Sequence, residues 1–246
     1  AYIPTGENVH AVPSESVTRA APCFTAPAQQ ALPACQQLAK VLSLVPDTPV
    51  AVRIRFNARL RDVLVELGRF AEAEAPARSA VAAALESKER PAIGAQQNGL
   101  ATVLKYLGRY SEAEELFRSA TELAKKEYGA DHLQVAAAMG NLAVVLQDQG
   151  KLTEAESLFR KSLAIKEKKL EPDHPDLATT LGNLAGVLKA QGKLTEAESL
   201  FRKSLAIQQK KLEPDHPSLA TTLGNLAGVL QDQGKLTEAE SLFRKS

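Results

Sequence analysis

A 42-residue unit recurs along the second half of this chain. The segment HPDLATTLGNLAGVLKAQGKLTEAESLFRKS, His174 to Ser204, returns as HPSLATTLGNLAGVLQDQGKLTEAESLFRKS, His216 to Ser246, with three differences. A repeat this regular is one supersecondary element that buries its apolar face only by stacking on its neighbours. It points to an extended array whose function lies on a surface, rather than to a compact catalytic pocket.

Alignment on glycine shows how far the array reaches. Gly68, Gly108, Gly150, Gly192 and Gly234 are spaced by 40, 42, 42 and 42 residues. Each suits the left-handed position just past a helix C-terminus, where a side chain is penalised. Three residues later Ser111-x-x-Glu114, Thr153-x-x-Glu156, Thr195-x-x-Glu198 and Thr237-x-x-Glu240 have the form of capping boxes. Ala71 replaces the hydroxyl in the first unit, so that helix is expected to be the least well capped, and Pro76 to distort it. Between these marks the apolar residues follow helical periodicity. Leu181, Leu184, Ala185 and Leu188 form one stripe; Ala197, Leu200, Phe201, Leu205 and Ile207 belong to another. The second helix is expected to end near Leu212, before Glu213-Pro214-Asp215-His216-Pro217.

The chain before the array reads differently. Residues 1–26 carry Pro4, Pro13 and Pro22 with little periodicity, as in an extended or disordered lead. Residues 27–46 read as an amphipathic helix, from about Ala28 to Val45. Thr48 is placed to cap the next helix, with Pro49 at its first position. The array then occupies 47–246, in units 47–90, 91–131, 132–173, 174–215 and an incomplete 216–246. Cys23 and Cys35 are the two cysteines, and no CxxC is present. Cys35 shares a helical face with Leu32, Leu38 and Leu42, which fits a buried small apolar residue. A Cys23–Cys35 disulfide is the other reading, and requires an oxidising compartment. The chain starts at Ala1, either a processed N-terminus or a boundary. The compartment is accordingly cytoplasmic or, with processing and an oxidised cysteine pair, periplasmic or extracellular.

The formal net charge is +1, which argues against holding nucleic acid by bulk charge. No apolar run approaches the roughly 18–20 residues of a membrane span. No Ser or Cys nucleophile is positioned with a His, and no phosphate-binding glycine loop is present, so no enzyme activity and no cofactor are expected. His132, His174 and His216 recur once per unit, too far apart to share a metal; in Asp-His-Pro the Asp is expected to cap and the Pro to start the helix. Asn141, Asn183 and Asn225 recur as well. They either satisfy buried backbone groups at a helix junction or bind a partner's main chain. Arg160-Lys161, Arg202-Lys203 and Lys166 to Lys169 make a basic ridge, locally compensated by the i,i+4 pairs Glu156–Arg160 and Glu198–Arg202.

Leu181, Leu184, Ala185, Leu188, Gly192, Leu194, Ala197 and Phe201 fall on the spacing of a tetratricopeptide repeat. The longer second helix and the LEPDHP ending resemble the 42-residue repeats of kinesin light chains and related bacterial proteins, over roughly residues 50–246. The resemblance implies an all-α fold, a right-handed α-solenoid with first helices lining a concave groove. It implies a non-catalytic scaffold for protein or peptide partners. In that family an Asn just before the NLA element commonly holds a cargo peptide; here the matching positions are Asn98, Gly140, Gly182 and Gly224. Gly182 and Gly186, like Gly224 and Gly228, lie four apart on one face. They read either as a smooth strip for another backbone or as drift in a recent duplication. The groove candidates are Asn98, Thr102, Lys105 and Tyr106, with Gln147, Asp148 and Lys189 further along, where near-identical repeats vary. Two alternatives stand beside the scaffold. One is end-to-end self-assembly through the incomplete last unit, where the chain either continues past Ser246 or is covered by another subunit. The other is a regulatory region of a larger enzyme or signalling protein.

Overall fold

The computed structural model describes residues 21–45 and 47–244. It is all-α among these residues, and the chain divides into two compact units, Ala1–Gly108 and Arg109–Ser246. The first unit holds α1 (Ala28–Ser43), α2 (Val50–Glu66), α3 (Phe70–Ser87) and α4 (Arg90–Tyr106). The second holds α5 (Tyr110–Tyr128), α6 (Leu133–Asp148), α7 (Leu152–Lys169), α8 (Pro175–Ala190), α9 (Leu194–Lys211), α10 (Pro217–Asp232) and α11 (Leu236–Phe243). From α2 onward, even-numbered helices are the first of each repeat and odd-numbered ones the second.

The turn glycines behave as their spacing predicts. Gly68, Gly108, Gly150, Gly192 and Gly234 have φ between 70° and 79°. At Gly150 the glycine N–H donates to Gln147 O at 2.9 Å and the Lys151 N–H to Leu146 O at 2.8 Å. Those two bonds are the paired closure of a Schellman turn, and they satisfy carbonyls the helix end leaves open. The same pair recurs at Gly192 and Gly234.

This turn overturns the capping boxes. The second helices begin two residues after the glycine, so Thr153 and Thr195 are already helical. The N-cap positions fall on Arg109, Lys151, Lys193 and Lys235, none with a side-chain cap bond. Ala71 is therefore no exception: its helix has Arg69 at the N-cap, equally without a side-chain cap bond. That helix runs on through Pro76, which is buried. At the first helices the cap is the histidine rather than the aspartate. The Nδ1 atoms of His132, His174 and His216 accept the N–H two residues on, at 3.1–3.2 Å. Thr48 also departs from expectation: its hydroxyl donates backward to Val45 O at 2.7 Å, and Pro49 takes the N-cap position.

Within a repeat the core is leucine, alanine, valine and one phenylalanine. Leu184, Ala185, Leu188, Ala197 and Phe201 are fully or almost fully buried. The small alanines let the helices approach. The Ser204 hydroxyl then donates across the gap to Ala178 O at 2.7 Å, and Ser162 does the same to Ala136 O.

In the first unit, residues 21–25 are helical rather than extended; the rest of the expected lead, residues 1–20, lies outside the described residues. Cys23 and Cys35 are joined in a disulfide and both are buried.

Candidate binding surface

In the second unit successive first helices touch: α6 packs against α8, and α8 against α10. Successive second helices make no contacts of that extent and are joined instead by long charged side chains. The first-helix side is the tighter one. Its outward stripe follows i, i+4, i+7, i+11 spacing, one helical face. On α6 it reads Ala137, Asn141, Val144, Asp148; on α8 Thr179, Asn183, Gly186, Ala190; on α10 Thr221, Asn225, Gly228, Asp232. Asn141 and Asn225 are exposed and Asn183 is half-buried.

The glycines on this face are not a bare strip. A methyl built on Gly228 would lie 2.7 Å from Lys189 Nζ, and one on Gly186 3.7 Å from Gln147 Nε2. Each glycine seats the side chain of the preceding first helix. Lys189 crosses Gly228 and reaches Asp232 Oδ2 at 3.6 Å. Gly140 and Gly182 point elsewhere, toward Ser162 and Ser204 of their own repeats. Three sequence candidates are thus placed: Gln147 and Lys189 bridge neighbouring first helices, and Asp148 is exposed at the end of the stripe. The variation between Lys189-Ala190 and Gln231-Asp232 includes a charge pair made across one junction.

The remaining candidates belong to the first unit. Asn98 and Thr102 are half-buried, and the Thr102 hydroxyl donates to Asn98 O at 2.9 Å. Tyr106 stacks on Phe70 with centroids 4.4 Å apart, and the Lys105 ammonium lies 4.4 Å from the Tyr106 centroid. These contacts tie Lys105 and Tyr106 to the start of α3, at the turn edge of the repeat.

The second-helix side carries a device the sequence reading missed. Glu114 accepts from Lys151 at 2.6 Å, from Gln149 at 2.8 Å and from Arg118, whose other arm reaches Glu154 at 2.6 Å. The same set recurs at Glu156, with Arg160, Lys193 and Glu196, and at Glu198, with Arg202, Lys235 and Glu238. Burial pushes the Glu114 carboxyl up, but bonds from Lys151, Arg118 and Gln149 outweigh it and take the pKa down to about 2. Glu198 reaches about 2 through Lys235 first, against opposing burial, with Arg202 and Gln233 adding to it. A sequence signal was present: the glutamate of each apparent capping box recurs with an arginine four residues on and a lysine two residues before the next threonine.

Among the described residues no group of His, Cys, Asp and Glu is placed to hold a metal, and no helix is long and apolar enough to cross a membrane. The family model described as tetratricopeptide repeat matches residues 93–168, 140–210 and 176–246. The chain belongs to the tetratricopeptide repeat family. Such arrays are typically non-catalytic scaffolds for protein partners. The structure is similar to the nearly identical TPR-like repeats assigned to a kinesin light chain of Podosopora anserina. The two share 28% identity at a TM-score of 0.67, over 81% of this chain and 94% of that one. It shares its fold with BtubC (BKLC) from P. vanneervenii, at 21% identity and TM-score 0.71 over 95% and 90%. Apo RapI has the same fold at 18% identity and TM-score 0.70, over 94% and 96%. No match is found among curated proteins.

Proposed function

We propose that the second unit holds an extended segment of a protein partner across α6, α8 and α10. The observation that carries this reading is the row Asn141, Asn183 and Asn225, one per first helix, on a face otherwise built of Ala, Val, Thr, Gly and Asp. An asparagine amide offers one donor end and one acceptor end, matching the N–H and C=O of a peptide unit. Neighbouring helices pack roughly 8–10 Å apart, and an extended chain advances about 3.3 Å per residue. The row therefore meets a bound main chain about once every three residues.

Charge narrows the occupant. Asp148 and Asp232 are exposed on this face, and its cation Lys189 is already turned to Asp232. A neutral or basic segment suits it; an acidic one does not. The likeness to kinesin light chain repeats supports the use of the first-helix face and says nothing of the partner.

Random peptides displayed on phage and selected on the full chain test this. Recovered sequences are expected to be neutral or basic with a preference repeating every third residue. Acidic sequences, or none, would overturn the reading. Replacing Asn98 and Lys105 together is expected to weaken partner binding without unfolding the chain; unchanged affinity would remove these two residues from the groove.

Self-association is a second reading with one observation behind it. Glu240 on α11 and Arg244 just past its end repeat the i,i+4 pair of the filled clusters, at 2.6 Å, and stand largely exposed. A second copy that brings a lysine and a glutamate against this pair would complete the cluster. Light scattering over a concentration series decides: constant monomer mass excludes the second copy.

A further inference from the structure

The start of the first unit is built unlike any repeat. Helix α1 packs on α2 and buries only Ala31, Leu32 and Cys35. Leu38, Val41 and Leu42 are only half-buried, and a sixteen-residue helix held so shallowly is marginal in water. The structure supplies other ties. Cys23, in the helical turn 21–25, is bonded to Cys35 in the second turn of α1. The Arg59 guanidinium, on α2, donates to Cys23 O at 2.9 Å and to Ala26 O at 2.8 Å. The Arg55 guanidinium carbon lies 4.9 Å from the centroid of the Phe24 ring. The polar and cation–π grips run from α2 to the turn, and the disulfide ties the turn to α1.

We propose that the Cys23–Cys35 disulfide is a redox latch on an N-terminal cap. Oxidised, it transmits the hold of Arg59 and Arg55 on the turn to α1 and keeps α1 seated on α2. Reduced, it leaves α1 to its own packing on α2, where only Ala31, Leu32 and Cys35 are fully covered, and the cap opens while the repeats stay folded. The step is ordinary thiol–disulfide exchange. A dithiol supplies two electrons and two protons, the S–S bond breaks, Cys23 and Cys35 become thiols, and the dithiol closes to its own disulfide. Because both cysteines are fully buried, attack waits on local opening of the cap. The repeats carry no cysteine, so their folding is indifferent to the reductant.

The test is hydrogen–deuterium exchange of the full chain, read by mass spectrometry, with and without dithiothreitol. Peptides covering residues 21–44 are expected to exchange about a hundred-fold faster on reduction, the factor expected for opening a loop of this size. Peptides of 109–244 are expected to be unchanged. The Cys23→Ser/Cys35→Ser variant is expected to match the reduced chain whether or not dithiothreitol is present. Arg59→Ala, which keeps both cysteines, is expected to speed reduction of the disulfide. Equal protection of 21–44 in both redox states would reduce the disulfide to a passive staple and overturn the proposal. So would equal loosening of every region.

Discussion

Glycine has two opposite meanings in this chain. Gly192 sits at φ +75°, where an L side chain is strained. Gly192→Ala is expected to destabilise the protein by about 1–2 kcal/mol in urea unfolding. Gly186 lies within a helix, and a methyl there would meet Gln147 Nε2 at an ordinary 3.7 Å. Gly186→Ala is expected to be neutral or to stabilise by up to about 1 kcal/mol through helix propensity. Destabilisation at Gly186 matching that at Gly192 would contradict this contrast. The turn glycines were legible because their chemistry is local: a regular spacing and a helix that must end. The helical glycines were not, because the side chain each one seats comes from the preceding first helix, 39 residues earlier in sequence. The histidine cap was missed for a related reason. A histidine at the N-cap places its imidazole beside an open N–H, with Pro following at His174 and His216 and Leu133 at His132, and the neighbouring aspartate is the better-known capping residue.

At the level of helices, junctions are held by apolar stacking plus the repeated charge cluster. Glu156 lies with most of its side chain covered, between Arg160 of its own helix and Lys193 of the next repeat. Glu156→Gln is expected to cost about 1–2 kcal/mol, more than an exposed ion pair contributes, because it takes the carboxylate from Lys193 and leaves Arg160 with Glu196 alone. The clusters also set an acid dependence. Glu114 and Glu198 titrate near 2 in the folded chain against an ordinary value of 4.5. A depressed folded pKa gives stability that is fully present above the unfolded value and is lost as pH falls through the folded one. The unfolding midpoint of the second unit is therefore expected to drop steeply between about pH 4.5 and pH 2. A Glu114→Gln/Glu198→Gln variant is expected to flatten that drop. The sequence showed these glutamates as capping residues. Their use was hidden because the bonding lysine lies 37 positions on, and only the stacking of repeats brings it near.

Over the whole molecule, the repeat made the all-α array and its helix order readable to within a few residues. Period, turn glycine and apolar stripe all follow from chemistry inside one unit. The binding surface was less readable, because a surface shared by three helices is defined by which faces align. Asn141, Asn183 and Asn225 were visible as a row, but whether they were buried between helices or displayed outward depended on the packing. The structure leaves Asn141 and Asn225 exposed and Asn183 half-buried. It also shows the second-helix side spending its arginines and glutamates on its own junctions, while Lys168 and Lys210 remain exposed there.

The central claim is that partners lie along the first helices of the second unit and are held through the asparagine row. Calorimetry of a display-selected peptide with the full chain, an Asn183→Ala/Asn225→Ala variant and a Lys168→Glu/Lys210→Glu variant tests it most directly. Helical content is to be checked for each by circular dichroism. The asparagine variant is expected to lose affinity by about ten-fold or more, on the order of one hydrogen bond's net contribution at each site, and the lysine variant to bind as the native chain does. Undiminished binding by the asparagine variant, with loss in the lysine variant, would contradict the account and move the partner to the second helices.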